Sequence, residues 1–460
     1  MKIAIINGSP KGKYGITFQY PRYLQSYYKD HEFVEYHVGQ SIKKIERDEA
    51  YFDGIIEGIS QCDLVLWCYP VYTFSVTYQL MRFLELIFER RAEWAFEGKY
   101  GSQILTSKHF FDNMAYNYMI RISESLKMGH IPGHQADSDD LKTAEGQSKL
   151  QDFFREVCFN QENKLPLSKK YSETVPLDRK FSPTKTDAVE NKSDYKILIV
   201  TDVEDGNSNL GKMIEVYRNS LPNEVTVLNL NDIKMNSGCL GCLYCTFEGH
   251  CVIKDEFQET FNKYVLPAEC IIYAGEIKHH WFKPVWKRFD DRQFCNGHRI
   301  LSMGKPVGYI ISGALQQESD LREMIDGRSA VGHVFLMDVV TDENSDEETV
   351  GLLKALAKKT IWALENKPQR PVNFLGIGGM KVFRDLIYTM RGFMREDHKF
   401  YKKHGFYDFP QKNKMMTLQS YTIGLMMRSE KIRKKVLVRL KHQLIKDYDK
   451  IIQELDSEEQ

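Results

Sequence analysis

The chain has no net charge: 63 lysines and arginines balance 63 aspartates and glutamates over 460 residues. That balance creates no global field to draw nucleic acid or an anionic membrane, so neither is expected as a partner. No apolar run approaches the roughly 20 residues needed to cross a bilayer, and no membrane span is expected. The N-terminus lacks the features of a signal peptide, since MKIAIINGSPKGK passes directly from a strand-like run into a glycine turn. A reducing, cytoplasmic setting is the expectation, and there clustered cysteines argue for metal rather than disulfides. A dinucleotide fingerprint is also missing: GIGGM at 376–380 has neither the full glycine pattern nor a βαβ context.

What is present is an order of elements that occurs twice. In the first half KIAIIN (2–7), HEFVEYHV (31–38), CDLVLWCYPVY (62–72) and YGSQILTS (100–107) read as strands, with helices between them and one over KLQDFFREVCF (149–159). In the second half YKILIVTD (195–202), EVTVLNLN (224–231), ECIIYAGEI (269–277), KPVGYIISG (305–313) and HVFLMDVV (333–340) lead into a helix over 350–366. Alternation at this pitch predicts parallel βαβ units, and the near-continuous Ile/Val/Leu runs predict sheets covered on both faces. The expected architecture is α/β: two doubly wound parallel-sheet domains, 1–160 and 194–366, and a helical C-terminal extension, 367–460. Between them 161–193, polar and punctuated by proline, is either a linker or a crossover held to the surface. In the extension Ile432, Val436, Leu440, Leu444, Tyr448 and Ile452 fall on one stripe of a basic amphipathic helix. It suits a membrane surface or a partner; acidic residues in the tail favour docking on its own domain. The acidic run from Asp342 to Glu348 is expected to face water at a helix N-terminus.

Four of the nine cysteines form one run, Cys239, Cys242, Cys245 and Cys251, spaced C-x2-C-x2-C-x5-C among Gly238, Gly241 and Gly249. Thiolate is the soft ligand of both iron–sulfur clusters and structural zinc, and the spacing suits either. Cys62, Cys68 and Cys270 lie in or beside apolar strands and read as buried structural thiols. The first strand ends in Asn7-Gly8-Ser9-Pro10-Lys11-Gly12, with Thr17 at a helix start. Hydroxyls and open amides there make a seat for a phosphate dianion, with Ser9 and Thr17 as donors and Lys11 as countercharge. A plain strand-to-helix turn accounts for the same residues. The third strand runs through Pro70, Val71, Tyr72, Thr73 and Phe74, a proline-aromatic loop suited to lie beside a flat ring.

At these residues the chain resembles the NADPH-dependent FMN reductase family of flavodoxin-like proteins. That family carries a G-S-P-[RK] loop, a P-x-Y-x-x-S-x-P loop and an L-K-x-F-x-[DE] helix; GSPK, PVYTFSV and LMRFLE match in order and spacing. Thr77 stands where proline is usual and Gly15 where serine is usual. The resemblance implies FMN, with Ser9, Lys11 and Thr17 near its phosphate and the 70–74 loop beside its isoalloxazine. Thr106, Ser107, Lys108 and His109 would form a third flavin loop. It also implies NAD(P)H as a transient reductant, a small-molecule or protein electron acceptor, and no catalytic side chain.

The second half resembles the iron–sulfur flavoproteins of that superfamily. The matching residues are Gly206-Asn207-Ser208-Asn209-Leu210, the cysteine run with Ile253-Lys254-Asp255 after it, and Lys287 to Arg292, which fits K-x-F-x-D-R. This implies a [4Fe–4S] cluster on the four cysteines. Glu204 and Asp205 in the second phosphate loop repel a phosphate, and Glu276 to Trp281, with His279 and His280, replaces the Pro-x-Tyr loop. The expectation is FMN in the first domain and the metal centre in the second, packed as an internal pseudo-dimer or as part of a homo-oligomer. The activity implied is that of an NAD(P)H-dependent flavoprotein oxidoreductase. The alternatives are an FMN-only quinone or flavin reductase with zinc or free thiols, and a degenerate, non-catalytic binding protein.

Overall fold

The Ile/Val-rich runs pair into two parallel sheets in the computed structural model, which describes residues 1–183, 194–222 and 224–435, with 446, 448, 450, 451 and 453. The first sheet holds β1 (Lys2–Asn7), β2 (Glu32–Tyr36), β3 (Leu64–Pro70), β4 (Tyr100–Ser107), β5 (Gly129–His130) and β6 (His134–Asp137). Its order is β2-β1-β3-β4-β5, with β6 also on β4. The second holds β7 (Ile197–Thr201), β8 (Val225–Asn229), β9 (Cys270–Lys278), β10 (Trp281–Phe282), β11 (Pro306–Ser312) and β12 (Phe335–Thr341). Its order, β8-β7-β9-β11-β12, repeats the first, and β10 folds back antiparallel on β9. Two flavodoxin-like parallel-sheet domains and a helical C-terminal region make up the chain.

The central strands are covered on both faces, as their composition predicts. Along β1 and β3 successive side chains alternate between two cores: Ala4, Ile6, Val65 and Trp67 enter one, and Ile3, Leu64 and Leu66 the other. Nothing in the sequence marks the fifth position of the first sheet, because GH and HQAD carry no apolar run.

Both sheets lie in one compact unit, Met1–Phe400. Within it the halves meet through equivalent elements. The helix Tyr78–Glu89 packs on Pro284–Arg292, each following the third strand of its sheet, and Asp112–Ser125 packs on Ser319–Val331, each following the fourth. Equivalent patches meeting each other is the arrangement of an isologous dimer. The contact is apolar at its centre, where Leu80 and Phe83 share a core with Trp286, Phe289 and Ile325. At its side Arg121 is buried, with Nε 3.1 Å from Asp320 Oδ2.

The segment after the first half is held to the surface of the second. Phe181 is fully buried in the second half's core, its N–H donates to Asn209 Oδ1 at 2.8 Å, and Asn209 Nδ2 donates to Arg179 O at 2.7 Å. Residues 184–193 of the expected linker lie outside the described residues. GIGGM sits inside the helix Phe374–Thr389, where a Cβ at Gly379 would lie 2.7 Å from Val331 Cγ1, so the glycine permits close helix packing. In the acidic run Ser345 and Glu348 form a capping box, but Asp342 is buried, which corrects the water-facing expectation for that residue. The second unit, Tyr401–Gln460, contains an exposed helix, Lys414–Met426. Of the predicted amphipathic stripe, Val436, Leu440, Leu444 and Ile452 lie outside the described residues. Among the described residues no helix is long and apolar enough to cross a membrane.

Candidate functional site

The carboxyl ends of β1, β3 and β4 meet where the strand order reverses, the place at which open α/β sheets bind ligands. Asn7 shapes the first loop: its Oδ1 accepts Ser9 N–H at 2.9 Å and its Nδ2 donates to Gly12 O at 3.0 Å. Gly12 has φ +54°, and a Cβ there would lie 2.3 Å from Gln40 Oε1. Ser9 and Thr17 are buried, and Thr17 Oγ1 lies 2.5 Å from Thr106 Oγ1, which ties the first loop to the fourth strand. The departure at Gly15 has a steric reason, since a Cβ there would come within 2.6 Å of Ser9 Oγ. The amides of Ile16, Thr17 and Phe18, at the start of the helix Gln19–Tyr27, have no acceptor among the described residues.

The loop after β3 is a two-residue turn. Tyr72 and Ser75 exchange backbone hydrogen bonds at 2.9 and 3.0 Å, while Thr73 and Phe74 hold φ of +39° and +67°. Such a turn ordinarily takes Asn-Gly, so two side-chain-bearing residues there store backbone strain. Phe74 is buried against Phe110 and Phe111, with ring centroids 5.3 and 5.2 Å away, and Ser75 Oγ is buried with no partner. Thr77 Oγ1 donates to Gly8 O at 2.7 Å and caps the helix Tyr78–Glu89, so it joins the first and third loops in a way proline cannot. Val71 N–H donates to Thr106 O at 3.2 Å. Beyond β4, Asp112 Oδ2 accepts from Ser107 Oγ at 2.7 Å and lies 2.9 Å from His109 Nδ1; Lys108 turns away to Asp137.

The second half covers this crevice. A Cβ at Gly241, between the first two cysteines of the run, would lie 2.1 Å from Tyr72 Oη and 3.2 Å from Lys11 Cε. Gln79 Nε2 donates to Cys239 O at 3.2 Å, and Phe294 stands edge-on to Tyr72 at 5.4 Å. Lys287 Nζ donates to Tyr72 O at 2.5 Å, and Asp291 Oδ2 accepts Tyr78 N–H at 2.8 Å. Lys287 and Asp291 form a buried ion pair, and burial pushes the Asp291 carboxyl up to about 6 and the lysine down. Burial, and after it the Cys239 thiol, raises the Tyr72 hydroxyl. Ser9, Lys11, Thr17 and Pro70 to Phe74 lie on loops at the carboxyl ends of neighbouring strands, and Lys287, Asp291 and Phe294, which no local pattern assigns to this place, form part of the same wall.

The four thiols of the run differ in burial and hydrogen bonding but lie near one another: beyond the effect of burial, Cys242 and Cys245 both add to the rise of Cys239, and Cys242 and Cys251 to that of Cys245. Cys239 Sγ accepts Gly241 N–H at 3.3 Å, Cys245 Sγ donates to Phe294 O at 3.3 Å, and Cys242 is exposed. Burial pushes Cys239 up to about 12 and Cys245 to about 11. Buried Cys295 lies close enough to Cys251 and Cys245 to feel their charge, a neighbour the spacing did not disclose. Among the described residues no three Cys, His, Asp or Glu side chains are gathered as metal ligands.

The equivalent edge of the second sheet differs. A cavity of about 500 Å³ is lined there by Ser208, Asn209, Glu276, His280 and Gly313, and roofed by Thr174 to Leu177 and Arg179. Asp342 Oδ2 accepts from Asn209 Nδ2 at 2.8 Å and from Ser312 Oγ at 2.7 Å. His279 and His280 have φ of +50° and +68°, repeating the turn at Thr73–Phe74. His279 stacks on Phe88 at 4.2 Å, and His280 Nδ1 lies 2.9 Å from Glu318 Oε1.

Residues 1–111 match the sequence model of a family described as having a flavodoxin-like fold. Among solved structures, the chain is similar to an NADH:FMN oxidoreductase in its apo form, at 18% identity over 35% of this chain and 89% of that one, with a TM-score of 0.31. It is also similar to the flavoenzyme NAD(P)H:(acceptor) oxidoreductase of Paracoccus denitrificans, at 17% over 35% and 97%, TM-score 0.30. A third is an FMN-dependent NADH-azoreductase of Bacillus anthracis str. Ames Ancestor in complex with FMN, at 13% over 36% and 99%, TM-score 0.27. No curated protein matches the chain.

Proposed function

We propose that the chain is an NAD(P)H-dependent oxidoreductase whose first half holds FMN. The observation that carries this reading is the buried Thr17–Thr106 hydroxyl pair, with buried Ser9 in the same loop and three unpaired amides beside it, in the stretch that matches the flavodoxin-like family. Ser9, Thr17 and the amides of residues 16–18 would hold the phosphate, with Lys11 as countercharge. Pro70 to Phe74 would flank the ring, and the unpaired Ser75 Oγ is a further polar contact on that wall. Ser107 and His109, fixed by Asp112, close the third side. When bound, the flavin accepts hydride at its N5, so no protein nucleophile or acid–base triad is required. The chain's own task is to orient the ring and exclude water, and the cover from the second half suits it.

The second crevice is not a flavin site in this reading. Its phosphate loop carries Glu204 and Asp205, and Asn209 is already engaged by the 179–181 segment. A metal centre on Cys239, Cys242, Cys245 and Cys251 rests on spacing and resemblance, and no step of the activity proposed here is routed through it. Metal analysis of protein purified without oxygen tests it: about four irons per chain would establish the cluster, one zinc the alternative, and neither would leave free thiols.

The test of the main reading is flavin binding by the full chain. Retained or titratable FMN, reduced by NADH or NADPH, is expected. Ser9→Ala with Thr17→Ala should weaken FMN by about 10- to 100-fold, since hydrogen bonds to a charged group are worth about 1.5–3 kcal/mol. Unchanged affinity would place the flavin elsewhere or nowhere.

A further inference from the structure

The halves meet through equivalent helices, yet one pair of contacts is not reciprocal. Aligning Arg82-Phe83 with Arg288-Phe289 sets Met81 opposite Lys287 and Glu85 opposite Asp291. Both acidic residues cross the interface: Asp291 accepts Tyr78 N–H at 2.8 Å, and Glu85 reaches Lys278 Nζ at 3.3 Å. The lysine exists on one side only. Lys287, almost fully buried, donates to the carbonyl of Tyr72, the residue that opens the strained Thr73–Phe74 turn. Met81, also buried, offers no donor to the matching His279–His280 turn, and the crevice beside that turn is roofed by residues 174–179.

We infer that Lys287, supplied by the second half, is a positioning residue for the ring-flanking turn of the first half, and that this one-sided contact confines flavin binding to one of the two crevices. The inference rests on the FMN reading above. Three features agree with it. The turn is strained and needs an external tie to persist. The ammonium is held by Asp291, which is anchored in turn at the start of the helix Tyr78–Glu89, so turn and helix are fixed together. The crevice lacking the lysine is also the one with an acidic phosphate loop and a roof formed by its own chain.

The experiment uses the full chain and the pair substitution Lys287→Met with Asp291→Asn. It reproduces the neutral residue found at Met81 and leaves no buried charge unpaired. The first readout, in flavin-free protein, is hydrogen exchange of the Ser75 amide, which donates to Tyr72 O. About tenfold faster exchange is expected there, with β1 and the rest of β3 unchanged, the size of one lost hydrogen bond. The second is the FMN dissociation constant, expected to rise about tenfold by the same measure, with the unfolding midpoint held within a few degrees. Exchange and affinity both within twofold of the parent in a folded variant would overturn the inference. Lys287→Arg, which keeps the charge but changes its reach, is read the same way if the pair variant fails to fold. Should the parent chain bind no FMN, the functional reading falls, and the Ser75 exchange rate alone decides the role of Lys287.

Discussion

At the scale of single residues, burial sets chemistry that neighbours only partly offset. Asp202 closes β7 with Oδ1 accepting Glu276 N–H at 3.3 Å and Lys283 nearby, yet burial outweighs both and raises its carboxyl to about 6. A carboxyl held above its unfolded value supports the fold below about pH 4 and loses that support as pH rises through 6. Asp202→Asn keeps the acceptor and removes the charge. It should therefore gain about 1–3 kcal/mol at pH 7 in urea unfolding, and nothing at pH 4. An equal gain at both pH values would show that packing, not ionisation, was responsible. The same scale separates what the sequence discloses from what it hides. Ser9, Lys11 and Thr17 fall within one short loop and carry a pattern. The contact of Lys287 with Tyr72 spans 215 residues, and no local spacing announces it.

At the scale of elements, the two strained turns and the strap formed by residues 174–183, which lies over the second crevice and is anchored at Phe181, shape the crevices. Thr73, β-branched and at φ +39°, occupies a position where asparagine is favoured. Thr73→Asn should stabilise the protein by about 0.5–1 kcal/mol, read from the thermal midpoint, because the substitution relieves backbone strain. Destabilisation would mean that the Thr73 side chain makes contacts that outweigh its backbone. The strap hangs on one aromatic. Phe181→Ala should cost about 3–5 kcal/mol and expose residues 174–183 to protease in the otherwise folded chain. A strap that stays protected would assign its hold to Arg179, which pairs with Asp346. Period-based reading found the long strands and helices because each buries a full face. It left 161–193 open between a linker and a crossover held to the surface, because a single buried ring has no period, and it gave no sign of the two-residue edge strand Gly129–His130.

At the scale of the whole molecule, four histidines oppose two aspartates in one pH window among the described residues. Burial lowers His130 and His279 to about 4 and depresses His134 and His333, while it raises Asp202 and Asp291 to about 6. A histidine held below its unfolded value supports the fold above about pH 6.5 and withdraws that support as pH falls toward 4. Between pH 7 and 6 the histidines dominate and stability should fall; near pH 5 the aspartates gain what the histidines lose and the profile should flatten. Urea unfolding from pH 7 to 4.5 checks this, and in Asp202→Asn the fall should continue through pH 5. A parent profile that rises between pH 7 and 6 would refute the assignment. The tandem order of the sheets was legible because it is written in strand composition. The pairing of equivalent helices was not, since it depends on which apolar faces match in space.

That pairing has a consequence for handling the protein. A crevice walled by two separate subunits opens whenever they part, so its occupancy follows protein concentration. Here the wall and the loops it covers belong to one polypeptide, and each half keeps the other at a high effective concentration however dilute the sample. Flavin affinity measured at nanomolar and at micromolar protein should therefore agree.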